Sequence, residues 1–325
     1  MTIISARDFC LVAAIGCSLL TFTAGARAQP KPPPATAAAA TTKPVAPQAF
    51  ATAQEAADAL IVAAERFDVP DLKAILGSDG DDLIDTGEQV KDREAATSFA
   101  AQAREKSSVV TDPKRPARAI LYVGKDDWPL PIPIIKQGAK WQFDAKAGRK
   151  EILYRRIGRN ELDAIAICQG FVDAQREYSF TKREGVRVNQ YAQRIISTPG
   201  KQDGLAWKNP DGSWGGPIGN NVAHAIEQGY EAQAAPYHGY YFKVLKGQGA
   251  AAPLGEMDFV VNGVMIGGFA LAAAPAEYGV TGVKTFIVSH DGVVYEKDLG
   301  EQTLKAFTAM ERYNPTKGWT PVVEE

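Results

Sequence analysis

Cysteine is nearly absent from this 325-residue chain: there are three, Cys10, Cys17 and Cys168. Two of them fall within the first 28 residues, a stretch that reads as a removable leader. Without it Cys168 stands alone, and no intramolecular disulfide can form. An excess of one charge is lacking too. The chain carries 36 Lys and Arg against 38 Asp and Glu; losing Arg7, Arg27 and Asp8 with the leader leaves 34 against 37, a net of −3. That balance gives no electrostatic footprint for nucleic acid. Catalytic signatures are missing as well. There is no G-x-S-x-G elbow and no phosphate-cradling G-x-x-x-x-G-K-[ST] loop. His224, His238 and His290 show none of the H-x-H, H-x3-H or C-x2-C spacings of metal sites. No apolar run reaches the roughly 20 residues of a membrane span. The expectations are no cofactor, no metal, no nucleic-acid partner, and no stable membrane span once the leader is gone.

What is present begins with that leader. Arg7 gives a weakly positive start, an apolar stretch runs from Phe9 to Phe22, and Ala26-Arg27-Ala28 precedes Gln29. This is the pattern of an export signal cut after Ala28, and it predicts a periplasmic or secreted protein. Lipidation at Cys17 and an uncleaved anchor are the alternatives. Cys17 follows Ala14-Ile15-Gly16 without the usual leucine and lies inside the apolar stretch. Residues 29–48, rich in Pro, Ala and Thr, read as a tether with little to bury.

Ordered structure is expected from Thr52, where Thr52 and Glu55 form a capping box. Ala56, Ala59, Leu60, Ala63 and Phe67 then recur at helical spacing. A second helix follows, with Pro70 in its first turn, Leu72, Ile75 and Leu76 inward, and Gly77 at its end. A third spans Arg93 to Lys106. Residues 117–123, 131–136 and 140–143 read as strands. A strong helix is expected from an N-cap at Asn160, with Leu162, Ile165, Ala166, Cys168 and Val172 on one stripe. Its pattern could run on through Val188, Tyr191 and Ile195. Turns then dominate until a short helix at 222–228. Strands return at 239–245, 257–261, 264–274, 284–289 and 292–299, with a D-G turn at His290-Asp291-Gly292, and a last helix covers 303–312. The fold class is α+β: N-terminal helices plus a small antiparallel sheet, a linking long helix, then a C-terminal antiparallel sheet. Domain boundaries are expected at 1–28 for the signal, 29–48 for the linker, 49–158 for the N-terminal unit and 159–325 for helix plus sheet.

Several ordered stretches carry a resemblance. GKDDWPLPIPI (124–134), EILYRRIGRNELDAIAIC (151–168), VDAQREY (172–178), TPGKQDGL (198–205) and PYHGYYFKVLKGQG (236–249) come first. NGVMIGGFALAAAPAEYGVTGVKTFIVSHDGVVYEKDLG (262–300) completes the series. Together they resemble the domain-of-unknown-function 2950 family of bacterial exported proteins, over about residues 50–323. The resemblance implies a bacterial exported protein and supplies no catalytic residues. The layout of a long helix and a glycine-punctuated sheet is also similar to the heads of type IV pilin-like proteins. Unlike a pilin, the helix here follows another domain, so that likeness concerns architecture alone.

Candidate chemistry is sparse. Cys168 lies on the apolar stripe of a helix, where a thiol packs as a small hydrophobe. The three histidines could act with Cys168, Asp258 or Asp291, but helix-face, loop and turn positions explain them without a site. Asp79 to Asp85 suggests calcium, yet the sixth and twelfth places hold Ile84 and Val90 instead of the Gly and Glu of an EF-hand. A solvated acidic turn is the simpler reading. Arg155, Arg156 and Arg159 could grip an acidic ligand or tie the two units by ion pairs. The best binding candidates are the aromatic and histidine side chains Trp207, Trp214, Tyr237, His238 and Tyr240, with Tyr230 and Tyr241 nearby. Gly- and Trp-rich loops can build a glycan or peptide platform, or merely cover the core edge. The reading is a non-catalytic binding or envelope-associated protein with a cell-envelope glycan or protein as partner. A hydrolase or metal-dependent enzyme using the 198–238 loop, and a component of a surface assembly, are the alternatives.

Overall fold

A computed structural model describes residues 44–85, 87, 89–182, 187–218 and 236–323. The leader, most of the tether, Gly185, the helix expected at 222–228, His224 and Tyr230 lie outside the described residues.

Helix α1 (Ala53–Arg66) starts as its capping box dictates. Thr52 Oγ1 accepts the Glu55 N–H at 3.1 Å, and Glu55 reaches back to the Ala51 N–H at 3.0 Å. Asp68 caps α2 (Val69–Leu76), which buries Leu72, Ile75 and Leu76 and ends at Gly77 with φ +70°. A short α3 (Asp81–Ile84) and α4 (Gln89–Glu105) follow; α4 begins one turn earlier than its apolar residues indicate. Strands β1 (Ser107–Asp112), β2 (Arg115–Val123), β3 (Trp128–Pro129), β4 (Ile134–Gln137) and β5 (Lys140–Phe143) form an antiparallel sheet ordered β1-β2-β4-β5, with β3 also on β2. Strand β1 escapes notice in the sequence because it buries no residue fully.

The long helix starts earlier than its expected cap. Helix α5 runs from Ala145 to Ser179, 35 residues or about 52 Å at 1.5 Å per residue. Its N-cap is Asp144, whose Oδ1 accepts the Ala147 N–H at 2.9 Å. Asn160 is mid-helix, so the cap expected there does not form. The buried stripe is Ala164, Cys168, Phe171, Val172, Gln175 and Tyr178, while Leu162 is 68% exposed. The stripe is thus phased differently from the Leu162–Ile165–Ala166 reading.

After α5 the chain does not continue as helix through Tyr191 and Ile195. It forms β6 (Arg194–Ile196), parallel to β7 (Gly204–Lys208), which pairs with β8 (Trp214–Gly215). Strands β9 (Tyr240–Leu245), β10 (Gly247–Gln248), β11 (Met257–Asp258), β12 (Val260–Val261), β13 (Val264–Met265), β14 (Ala270–Pro275), β15 (Lys284–Ser289) and β16 (Val294–Asp298) follow, then α6 (Thr303–Ala309) and β17 (Thr320–Pro321). The main sheet is antiparallel in the order β17-β16-β15-β14-β9. The run from Val264 to Ala274 is two strands, parted at Gly267-Gly268, where Gly268 has φ +140°. Strand β14 is buried at all six residues, as a central strand covered on both faces must be. Helix α5 packs on one face, near Tyr240; α6 takes the other, where Lys243 Nζ donates to the Thr308 carbonyl at 2.8 Å. The architecture is α+β.

Residues from Pro44 onward form one compact unit with two hydrophobic clusters. One gathers Phe50 to Ala145, the other Ala164 to Tyr313. Helix α5 contributes Ala145 to the first and its stripe to the second. Gly148 is required where the helix crosses the first, since a Cβ there would lie 2.7 Å from Ile132 Cγ1. No helix among the described residues is long and apolar enough to cross a membrane.

Candidate functional site

The middle of α5 binds both halves. Arg155 donates to the Pro129 carbonyl at 2.7 Å, pairs with Glu151 at 2.9 Å, and lies 5.3 Å from the Trp128 ring centroid. Asn160 Nδ2 donates to the Thr281 carbonyl at 2.8 Å. Glu161 Oε1 accepts the N–H groups of Val283 at 2.8 Å and Lys284 at 3.0 Å. Arg155 therefore ties α5 to the N-terminal sheet, and Asn160 and Glu161 tie it to the C-terminal one.

Tyr237 and Tyr240 exchange two backbone hydrogen bonds of 2.9 Å across His238 (φ +48°) and Gly239 (φ +74°). Positive φ at both central residues defines a type I′ turn, which places His238 at its tip. Gly239 fits close over Asn160, whose Nδ2 would lie 2.6 Å from a Cβ. His238 Nδ1 meets Asp163 Oδ2 at 2.6 Å, and its ring stands edge-on to Tyr237 at 4.4 Å. Asp163 is a mid-helix partner for a residue 75 positions away. Burial, then the Asp163 charge, raises the Tyr237 phenol above its usual range. Tyr240 is 1% exposed and donates to the Lys284 carbonyl at 2.9 Å. Its ring belongs to the core.

The two tryptophans are also separated. Trp207 stands opposite Gly215, and Lys208 opposite Trp214. A one-residue step along a strand reverses the face. Trp207 covers Gly215, whose Cβ would meet its Nε1 at 2.6 Å, while Trp214 shares the other face with Lys208, 5.3 Å from its centroid. Trp207 and Trp214 thus share no common platform, and Tyr237, His238 and Tyr240 belong to a different sheet region.

The remaining candidates are structural. Cys168 is fully buried, and desolvation pushes its thiol up to about 12, which leaves almost no thiolate at neutral pH. His290 packs against Phe259 and Phe269 at the opposite end of β14 from His238, so these two histidines do not converge. No group of three His, Cys, Asp or Glu able to hold a metal occurs among the described residues. In the acidic run, Asp82 is taken by Arg149 of α5 at 2.5 and 3.0 Å, and Arg149 also donates to the Asp79 carbonyl at 2.7 Å.

One concave feature was not visible in the sequence. A cleft of about 550 Å3 opens at the α1–α2 corner, lined by the apolar Phe67, Val69, Pro70 and Ile84, by Arg66 and Arg93, and by three aspartates and Gln89. Arg93 lies 4.9 Å from the Phe67 ring centroid. The only signal for it in the sequence was the two-residue joint Phe67-Asp68 between two apolar-periodic helices.

The fold and these sites define an α+β protein with two hydrophobic cores threaded by one helix and an open cleft in the N-terminal part. The chain belongs to the family described as Protein of unknown function (DUF2950), whose model matches residues 47–322. The comparisons with curated proteins and with solved structures return no match.

Proposed function

We propose that the protein is exported, loses its leader after Ala28, and acts as a non-catalytic binding protein associated with the bacterial cell envelope. The observation that carries the binding half is the Arg66–Phe67–Arg93 cleft. Its volume falls within the roughly 300–1,000 Å3 of small-ligand sites, and its lining sets Phe67, Val69, Pro70 and Ile84 among charged side chains. The inert Cys168 and the separated His238 and His290 support binding over catalysis. Export is supported by the leader pattern and by the resemblance to exported proteins. The division at about residue 158 belongs to the same proposal and is supported by the two hydrophobic clusters. The pilin-head likeness rests on layout alone. The test is twofold. Mass spectrometry of the protein from cell-envelope fractions should give Gln29 as the first residue. Purified protein should bind on arrays of peptidoglycan, glycans and envelope proteins; silence on all three would sink the binding reading.

A hydrolytic enzyme is the second reading, favoured by one observation. Asp163 fixes Nδ1 of His238, which leaves Nε2 facing away from the partner, as a general base requires. A hydrolase screen in which the protein and its His238→Ala variant behave alike would remove this reading.

A further inference from the structure

We infer that the cleft at the α1–α2 corner binds the carboxylate end of a peptide with an apolar last side chain. This rests on the binding reading above and specifies its ligand.

The charges inside the cleft are unequal in what they already hold. Asp68 accepts the Asp71 N–H at 3.2 Å and so is spent on capping α2. Asp85 pairs with Lys73 at 3.5 Å and accepts the Gly87 N–H at 3.3 Å. Asp92 is buried and engaged within the protein. The three acids of the lining are thus committed to the fold. Arg66, the last residue of α1, and Arg93, in the first turns of α4, make no ion pair with any described residue. The two guanidiniums are therefore the hydrogen-bond donors that the cleft leaves uncommitted, beside carboxylates that already hold partners.

The two guanidiniums flank an aromatic floor. Phe67 is held in the left-handed region at φ +50°, where glycine is the usual helix-ending residue. Its N–H bonds to the Ala64 carbonyl at 3.1 Å, and the Asp68 N–H to Ala63 at 2.9 Å, so the turn is closed by backbone alone. A half-buried ring is carried at a position that backbone geometry would give to glycine. Arg93 lies near that ring, and a guanidinium stacked on an aromatic face keeps its edge N–H donors free for a planar anion. A carboxylate matches that fork in a bidentate manner. A bare inorganic anion would leave Phe67, Val69, Pro70 and Ile84 unused, and a neutral apolar ligand would desolvate two arginines without compensation. An apolar side chain next to a carboxylate satisfies both, and Gln89 at the rim can meet the preceding amide.

The experiment is a titration of the full chain with N-acetyl-alanyl-leucine and with its C-terminal carboxamide, followed by calorimetry and ligand-observed NMR. The acid should bind at least about tenfold more tightly than the amide, the loss expected when a charge-assisted pair is removed. Arg66→Gln and Arg93→Gln should each weaken the acid about tenfold or more and leave the amide unchanged. Phe67→Gly suits the backbone but removes a ring packed against the N-terminal core, so it should lower the melting temperature, keep the native circular-dichroism spectrum and lose binding. Equal affinity for acid and amide, or a Phe67→Gly protein that binds the acid like the parent, overturns the assignment. If Arg93→Gln fails to fold, Arg66→Gln and Phe67→Gly still decide it. Binding on envelope arrays with no preference for the acid would remove the ligand assignment and leave the binding reading; failure in both removes both.

Discussion

Gln175 and Ala192 exchange two hydrogen bonds of 2.8 Å, the side-chain amide of α5 serving both the N–H and the carbonyl of the strand-like segment before β6. Gln175 is fully buried, so this amide does the work that a neighbouring strand would do for backbone at that depth.

Replacing Gln175 by Leu should therefore cost more than an average side-chain hydrogen bond. It strands a buried donor and a buried acceptor, each worth about 1–3 kcal/mol when left unpaired. Urea denaturation should show a loss of roughly 2–4 kcal/mol. A change below about 0.5 kcal/mol would mean that water or a backbone shift replaces the amide.

Glu161 holds the start of β15 through two N–H groups. Glu161→Ala should destabilise by about 1.5–3 kcal/mol, while Glu161→Gln, which keeps an acceptor oxygen, should retain about half of that. Chemical denaturation of the two variants side by side separates them; equal losses would assign the effect to packing.

Two glycines on α5 should respond with opposite signs. A Cβ at Gly148 would meet Ile132, so Gly148→Ala should destabilise by about 1–3 kcal/mol. Gly158 has nothing within 4 Å, so Gly158→Ala should stabilise by about 0.5–1 kcal/mol through helix propensity. Melting temperatures moving the same way in both variants would contradict the course of α5.

Cys168 should resist alkylation. Its buried thiol, pushed up to about 12, should react with iodoacetamide at neutral pH only as fast as the fold opens, and rapidly in denaturant. Mass spectrometry over a denaturant series tests this. Rapid native labelling would restore a reactive-thiol role.

Asp82 supplies a pH signature. The hydrogen bonds from Arg149, then its charge opposing burial, hold the Asp82 carboxyl below the usual carboxylate range. A depressed folded value means that the pair stabilises fully above the unfolded value of about 4 and loses this as pH falls through the lower folded one. Both side chains are about half exposed, so screening keeps the effect below about 1 kcal/mol. The difference in urea midpoint between the protein and Arg149→Met should shrink as pH falls below about 4. A difference independent of pH would assign it to the bond from Arg149 to the Asp79 carbonyl instead.

The elements legible in the sequence are those whose signals are local. Thr52 with Glu55, and Pro70 with Gly77, mark α1 and α2 because capping chemistry acts over a single turn. The order of strands from Tyr240 to Asp298 was legible for the same reason: the D-G turn at Asp291-Gly292 closes β15 on β16, with the Gly292 N–H on the Ser289 carbonyl at 2.9 Å. The first half of α5 was not legible. Between the two cores it buries few residues and shows no apolar period, and its course is set by Arg155 and Glu161, whose partners lie far away in sequence. The pairing of His238 with Asp163 was hidden likewise, and so was the separation of Trp207 from Trp214, which depends on a register that only the sheet fixes. The cleft was hidden because Arg66 and Arg93 line one cavity only once α4 packs against α1.

The uninterrupted course of α5 also decides where this chain can be divided. The proposed division near residue 158 lies between the two hydrophobic clusters but within this helix, so a cut there would detach Arg155 from Glu161. Fragments meant to isolate either half must instead end before Asp144 or begin after Phe180, and only one of the two can inherit the helix. The fragment left without it would expose the surface that α5 covers, so the two halves are not interchangeable modules but unequal heirs to a single structural element.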